Sequence, residues 1–186
     1  MSYPRRLYLV LFLLGSTTAF AAVKDLIVID FLHMARNPDG TRERGYEYGF
    51  GDWDDKKKVG QFPDKGVIIN FVGSKGGIGE NRDLDFRKHS KARVTFVIGN
   101  RNQAESFGFS LVDKDGTDQS WDIPLKDQTK GVVLTRLLDL TQPARTDKPG
   151  KTPGLDLKKL KSWQFRGNYQ DAPIELMIIK VTAVSE

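Results

Sequence analysis

Between Val94 and Leu125 the chain reads VTFVIGNRNQAESFGFSLVDKDGTDQSWDIPL, and its two-residue alternation constrains the fold more than any other stretch. Phe107, Phe109 and Leu111 share one face of an extended segment, Trp121, Ile123 and Leu125 share a face of the next, and Asp115-Gly116 stands between them. Side chains alternate across a strand and Asp-Gly tolerates the backbone of a tight turn, so this stretch is expected to form a half-buried β-hairpin.

Further strands follow from the same logic. Val23 to Phe31 (VKDLIVIDF) is apolar at nearly every position and reads as a first strand covered on both faces. Val67 to Val72, Arg93 to Ile98, Ser162 to Arg166 and Ile174 to Val184 are the next strands, with Arg87 to Ser90 and Leu155 to Leu160 as turn-forming lead-ins. Val132 to Leu140 fits a strand or a short helix, and its β-branched start favours the strand. Leu32 to Asp64 is polar, glycine-rich and charged, and is expected to be a loop-rich segment with short edge strands. Within it, GYEYGFGDW puts Tyr46, Tyr48 and Phe50 on one face if extended. The run GSKGGIG (73–79) reads as a flexible connection between strands, and Thr141 to Gly154, with three prolines, as a polar linker. Many short strands with turns every 8–12 residues predict a β-sandwich or barrel in one domain.

The N-terminus carries the marks of a secretory leader. Arg5 and Arg6 precede the apolar run Leu7 to Leu14, and Ala19-Phe20-Ala21 supplies a small-x-small cleavage site, so residues 1–21 are expected to be removed and 22–186 to form the exported domain. The apolar run is shorter than the roughly 20 residues that cross a bilayer, and no later stretch is apolar for longer. The destination is the periplasm or the extracellular space. The chain has no cysteine, which excludes disulfides, thiolate metal sites and a cysteine nucleophile. Stability must then come from the core, and chains of this size bury roughly 70% of their unfolded surface. With Arg5 and Arg6 gone in the leader, 27 basic side chains face 24 acidic ones. That is a mixed surface and not the dense basic patch of a nucleic-acid binder.

Three blocks carry a resemblance to a known family. They are VIDF (28–31), the LDF-turn-VTFVIGN block (84–100) with FGFSLVDKDG and SWDIPL, and the ending LDLKKLKSWQFRGNYQDAPIELMIIKVTAV (155–184). Together they resemble the galactose-binding-like jelly-roll superfamily, in particular the carbohydrate-binding modules of the CBM11-like and CIA30-like group. The resemblance implies an all-β jelly-roll sandwich and glycan binding without catalysis, and its CIA30-like side implies an exported protein partner as the alternative. Many such modules hold a structural calcium between an acid near the first strand and an aspartate in the closing strand. Asp30 suits the first place, but Ile179 and Lys180 stand at the second, and calcium wants six to eight oxygen ligands. Calcium is therefore disfavoured, and no other cofactor is expected.

Motifs for chemistry are sparse. The acidic turn Asp113 to Asp118 puts Gly116 fourth and Pro124 twelfth, where a calcium-binding EF-hand loop needs glycine sixth and glutamate twelfth, so a hairpin turn explains it. GSKGGIG lacks the Gly-Lys-Ser/Thr ending of a phosphate loop. His33 and His89 sit in no nucleophile or metal motif. A glycoside-active enzyme is the third reading, with Asp52, Asp54, Glu80 or Glu105 as the acids; it needs two carboxyls facing across a cleft. Trp121 and Trp163 are in phase with core positions. A sugar site combines flat aromatic platforms with polar side chains, and the residues that offer both are Tyr46, Tyr48, Asp52, Trp53, Arg101, Asn102 and Tyr169, with Gln103 beside them. The tyrosines capping a sheet edge, with the loop polars facing water, explain the same pattern equally well.

Overall fold

The computed structural model describes residues 23–33, 45–55, 59–62, 65–73 and 75–185. The expected leader and the remainder of the 32–64 segment lie outside these. The described strands are β1 (Leu26–Asp30), β2 (Tyr48–Gly51), β3 (Val59–Phe62), β4 (Gly66–Val72), β5 (Lys75–Leu84), β6 (Lys91–Ile98), β7 (Ser106–Asp113), β8 (Asp118–Pro124), β9 (Val133–Asp139), β10 (Arg145–Lys148), β11 (Leu160–Asn168) and β12 (Pro173–Val184). A single 3₁₀ turn, Asp52–Asp54, joins the end of β2 to the path toward β3. The strands form two antiparallel six-stranded sheets. The first runs β3-β4-β12-β6-β9, with β1 also on β12; the second runs β10-β8-β7-β11-β5-β2.

The expected β-sandwich is what the chain forms, and its alternation explains why. In the hairpin β7–β8, Phe107 faces Ile123 and Phe109 faces Trp121, all of them buried. The same row continues through Phe165 of β11 to Ile78 of β5. Ala92, Val94, Phe96 and Ile98 of β6 and Leu176, Ile178 and Val181 of β12 meet them from the first sheet. Phe96 closes the gap between the sheets, edge to face on Phe107 at 5.3 Å, and Phe107 and Phe109 lie 5.9 and 5.3 Å from Phe165. Each such ring contributes about 2–3 kcal/mol by leaving water. Trp121 and Trp163 belong to this core as their phase predicts.

The hairpin loop is held by one side chain. Asp113 is fully buried; its Oδ1 accepts the N–H groups of Asp115, Gly116 and Thr117 at 3.1, 3.0 and 2.9 Å, and its Oδ2 that of Asp156 at 2.9 Å. Gly116 adopts φ 102°, where a side chain would be strained.

Three segments depart from the sequence expectations. The first strand is not covered throughout: Val28 and Ile29 are buried, but Ile27, where the pairing with β12 shifts register, is 54% exposed. The glycine-rich run is no loose connection from residue 75 onward; residues 75–79 belong to β5, paired with both β11 and β2. The proline-containing linker holds strand β10, paired with β8 at the sheet edge, where few partners are needed and flanking prolines are tolerated. The described part of the 32–64 segment supplies the short edge strands expected of it, β2 at the edge of the second sheet and β3 at that of the first.

Candidate functional site

The outer face of the second sheet is built from two rows that cross the strands. One runs Phe50, Gly77, Arg166, Gly108, Asp122; the other runs Tyr48, Gly79, Gln164, Ser110, Ser120, Arg145. Five strand spacings make the longer row about 24 Å. Aromatic rings stand at one end, glycine and serine form the floor, and guanidinium and carboxylate groups stand at the other end.

The aromatic end explains the glycines. A Cβ on Gly79 would come 2.7 Å from the Tyr48 hydroxyl, and one on Gly77 would strike the Phe50 ring. The rings of β2 therefore lie flat on β5 only because β5 has no side chains there. This is the cross-strand covering of glycine by an aromatic that sheets use at edges. Phe50 stays 39% exposed, and Tyr48 accepts a hydrogen bond from Gln164 Nε2 at 3.0 Å.

The polar end is a hydrogen-bonded network in which Arg166 Nε alone is buried without a partner among the described residues. Arg166 lies over the buried Ser110 and Ser120. It donates from Nη1 to Asp118 Oδ2 at 3.1 Å and from Nη2 to Asp118 Oδ1 at 2.9 Å and Ser110 Oγ at 3.0 Å, with further contacts to Ser120 and Asp147. Arg145, from β10, donates from Nε to Asp147 Oδ1 at 2.8 Å and from Nη1 to Asp122 Oδ1 at 2.6 Å. Burial alone would raise the Asp147 pKa, but hydrogen bonds from Ser120 and Arg145 and the charge of Arg166 outweigh it and hold the carboxyl below its ordinary range. Between the two ends lies a cleft of about 410 Å³ bounded by Phe50, Lys75, Arg145, Asp147, Arg166 and Asn168.

Of the residues expected to bind sugar, Tyr48 alone lies in these rows. Trp53 and Tyr169 are 1% and 4% exposed and stack on each other, 6.2 Å apart and 9° from parallel, on the inner side of the sheet. Their faces are taken up by each other and by the glycines above: a Cβ on Gly76 would lie 2.5 Å from Trp53 Cδ1, and one on Gly167 would strike the Tyr169 ring. As platforms for a sugar they are thus replaced by core packing. Burial pushes the Tyr169 hydroxyl well above its ordinary pKa. Tyr46 precedes β2 at a bend and is also buried. Asp52 sits in the 3₁₀ turn close to Gly73.

Asn102 is 5% exposed and braces its loop, giving Nδ2 to the Ala104 carbonyl at 2.9 Å and accepting the Glu175 N–H at 3.2 Å. Arg101 projects from the same loop, bonded to Asn70 Oδ1 at 3.1 Å, and with Gln103 borders a separate cavity of about 490 Å³. Among the other acids, Glu80 accepts from Trp163 Nε1 at 2.8 Å and Glu105 pairs with Lys126 at 3.1 Å. Asp30 pairs with Lys180 Nζ at 3.2 Å and His33 Nδ1 at 3.1 Å. Burial raises its pKa, and the hydrogen bonds from His33 and Lys180 more than reverse this.

Phe50, Lys75, Arg145, Asp147, Arg166 and Asn168 border the cleft, and sequence reasoning singled out none of them as a binding residue. A signal for Phe50 was present. The alternation Tyr48-x-Phe50 matches the alternation Gly77-x-Gly79, and pairing them would have placed both rings on a sheet.

No protein-family profile matches the chain, and no curated protein sequence does. Solved structures do match it in shape. The family 11 carbohydrate-binding module of a cellulosomal cellulase of Clostridium thermocellum superposes with a TM-score of 0.58 at 14% identity, over 89% of this chain and 97% of the module. An agarase matches with a TM-score of 0.56 at 10% identity over 86% of this chain, and an exo-β-agarase with 0.53 at 13% over 87%. The matched parts are 24% and 26% of those two enzymes. At such identities the likeness is one of fold: the chain has the jelly-roll sandwich of carbohydrate-binding modules.

Proposed function

We propose that this chain is a non-catalytic glycan-binding protein, exported by its leader to the periplasm or the cell exterior, and that it binds along the outer face of the second sheet. The observation that carries the reading is the pairing of Phe50 and Tyr48 over glycines at one end with a rigid guanidinium–carboxylate network at the other. A pyranose offers an apolar face and a rim of hydroxyls, and the two ends match these in turn. The fold shared with a carbohydrate-binding module adds support.

The test is a glycan array on the purified protein, followed by affinity electrophoresis of Phe50→Ala on the best ligand. Phe50→Ala is expected to lose about 5- to 12-fold in affinity, as the aromatic platform of one ring contributes on the order of 1–1.5 kcal/mol. A blank array, or a bound glycan indifferent to Phe50→Ala, refutes the site.

A protein partner is the second reading, favoured by the outer face of the first sheet. Val133, Val97, Met177 and Ile68 form one apolar row across four strands, with Phe62 46% and Val72 61% exposed nearby. Apolar surface gathered in this way marks interaction sites. Co-purification of a stoichiometric partner, lost on Val133→Lys, supports that reading.

A further inference from the structure

The charged groups that border the cleft are unevenly committed. Lys75, Arg145 and Arg166 bring three positive charges to its wall, and Asp147 brings one negative charge. Asp147 has little left to offer a ligand, because Oδ1 accepts from Arg145 Nε and Oδ2 accepts from both Ser120 Oγ and Arg166 Nη2. The other two carboxylates of the network, Asp118 and Asp122, do not border the cleft; Asp118 is occupied by Arg166 and Ser110, and Asp122 by Arg145. The donors are less committed. Lys75 makes no hydrogen bond or ion pair among the described residues. Arg145, which borders the cleft, uses Nε and Nη1 in hydrogen bonds and keeps Nη2 without an acceptor among the described residues. Two guanidinium groups face three carboxylates in the bonded network, and Lys75 brings the total to zero, yet each carboxylate is engaged by a guanidinium group and two of the three lie off the cleft.

From this we infer that the ligand of the cleft is an anionic glycan, one that sets a uronate carboxylate or a sulfate against Lys75 and Arg145 while a ring rests on Phe50. The inference rests on the glycan reading and names the class of glycan. Charge-assisted hydrogen bonds are roughly twice as strong as neutral ones, and a guanidinium edge with a free Nη fits an oxyanion. A neutral sugar would bring hydroxyl hydrogens to a wall whose carboxylate is already saturated.

Titration calorimetry of the protein with four probes tests this: tetragalacturonate, its uncharged methyl ester, a sulfated galactan oligosaccharide and a neutral β-glucan tetrasaccharide. At least one anionic probe is expected to bind tenfold or more tighter than both uncharged ones, with an affinity that falls as salt is added. If the sulfated probe alone shows this, the anion is a sulfate; if tetragalacturonate alone does, it is a carboxylate. Lys75→Met, at an exposed position that leaves the melting temperature in place, is expected to weaken the anionic probe about tenfold, and Arg145→Lys to weaken it through loss of the guanidinium fork. Equal affinity for charged and uncharged probes overturns the inference and leaves the glycan reading standing. Anion selectivity that survives both substitutions also overturns it. Binding of no probe at all, together with a blank glycan array, removes both.

Discussion

Trp53 offers the sharpest test of how the interior is arranged. It is 1% exposed and stacks on Tyr169 beneath Gly76, and its indole Nε1 is buried with no hydrogen-bond partner among the described residues. A buried indole removes about 150–250 Å² from water, which at roughly 25 cal/mol per Å² amounts to ~4–6 kcal/mol. Alanine retains a small part of this, and the lost stacking adds about 1 kcal/mol. Removing an unpartnered buried N–H returns about 1–3 kcal/mol. The net loss for Trp53→Ala is therefore about 3–5 kcal/mol, in line with large-to-small changes in cores. For a domain of this size each kcal/mol moves the melting temperature by about 2–4 °C, so a fall of roughly 6–20 °C is expected. Trp53→Phe separates the contributions: it keeps a ring on Tyr169 and deletes the unpartnered N–H, and should cost less than about 1.5 kcal/mol. The assay is thermal unfolding by near-ultraviolet circular dichroism, with urea titration to check that the slope is unchanged. An unaltered melting temperature in Trp53→Ala would refute the stacked, buried pair. A Trp53→Phe loss as large as that of alanine would refute the bookkeeping.

Three further outcomes follow from the same structure. Gly77→Ala places a methyl group 2.5 Å from the Phe165 carbonyl and against the Phe50 ring; it should cost ~1–3 kcal/mol and weaken glycan retention as Phe50→Ala does, with the double variant no weaker than either, as read by affinity electrophoresis. Asp113→Ala strips the acceptor from four N–H groups and should cost about 3 kcal/mol or more in urea, whereas Asp113→Asn keeps one acceptor oxygen and should lose less. Acid should destabilise the fold for a definite reason. Asp115, through hydrogen bonds from Thr152 and its neighbours, and Asp147, through Ser120 and Arg145, have folded pKa values below the unfolded value near 4. Such groups stabilise fully above that pH and lose their contribution as pH falls through the folded values, so the melting temperature should hold from pH 7 to about 5 and drop below 4; a flat profile down to pH 2 would contradict the shifts.

Much of the architecture was legible because alternation is a local property. Phe107, Phe109, Leu111, Trp121 and Ile123 had to share an inner face once the strand period was read, and Trp163 and Phe165 followed by phase. The glycine run failed as a loop because glycine usually signals a turn, and the reason it extends here lies in another segment, the rings of β2 that need bare backbone beneath them. Strand β10 was hidden by its charges and the prolines that flank it, which an edge strand tolerates.

The sequence by itself determined which residues could form strands, which of their faces would be apolar, and that the core must stand without disulfides. Only the tertiary structure decided the site. Phe50, Lys75, Arg145 and Arg166 come from β2, β5, β10 and β11, segments up to 116 positions apart in number, and meet because strand order β10-β8-β7-β11-β5-β2 lays them across one face. The same packing turned Trp53 and Tyr169 inward, although their loop context looked open. Exposure depends on what the rest of the chain lays over a residue, and no short stretch of sequence carries that information.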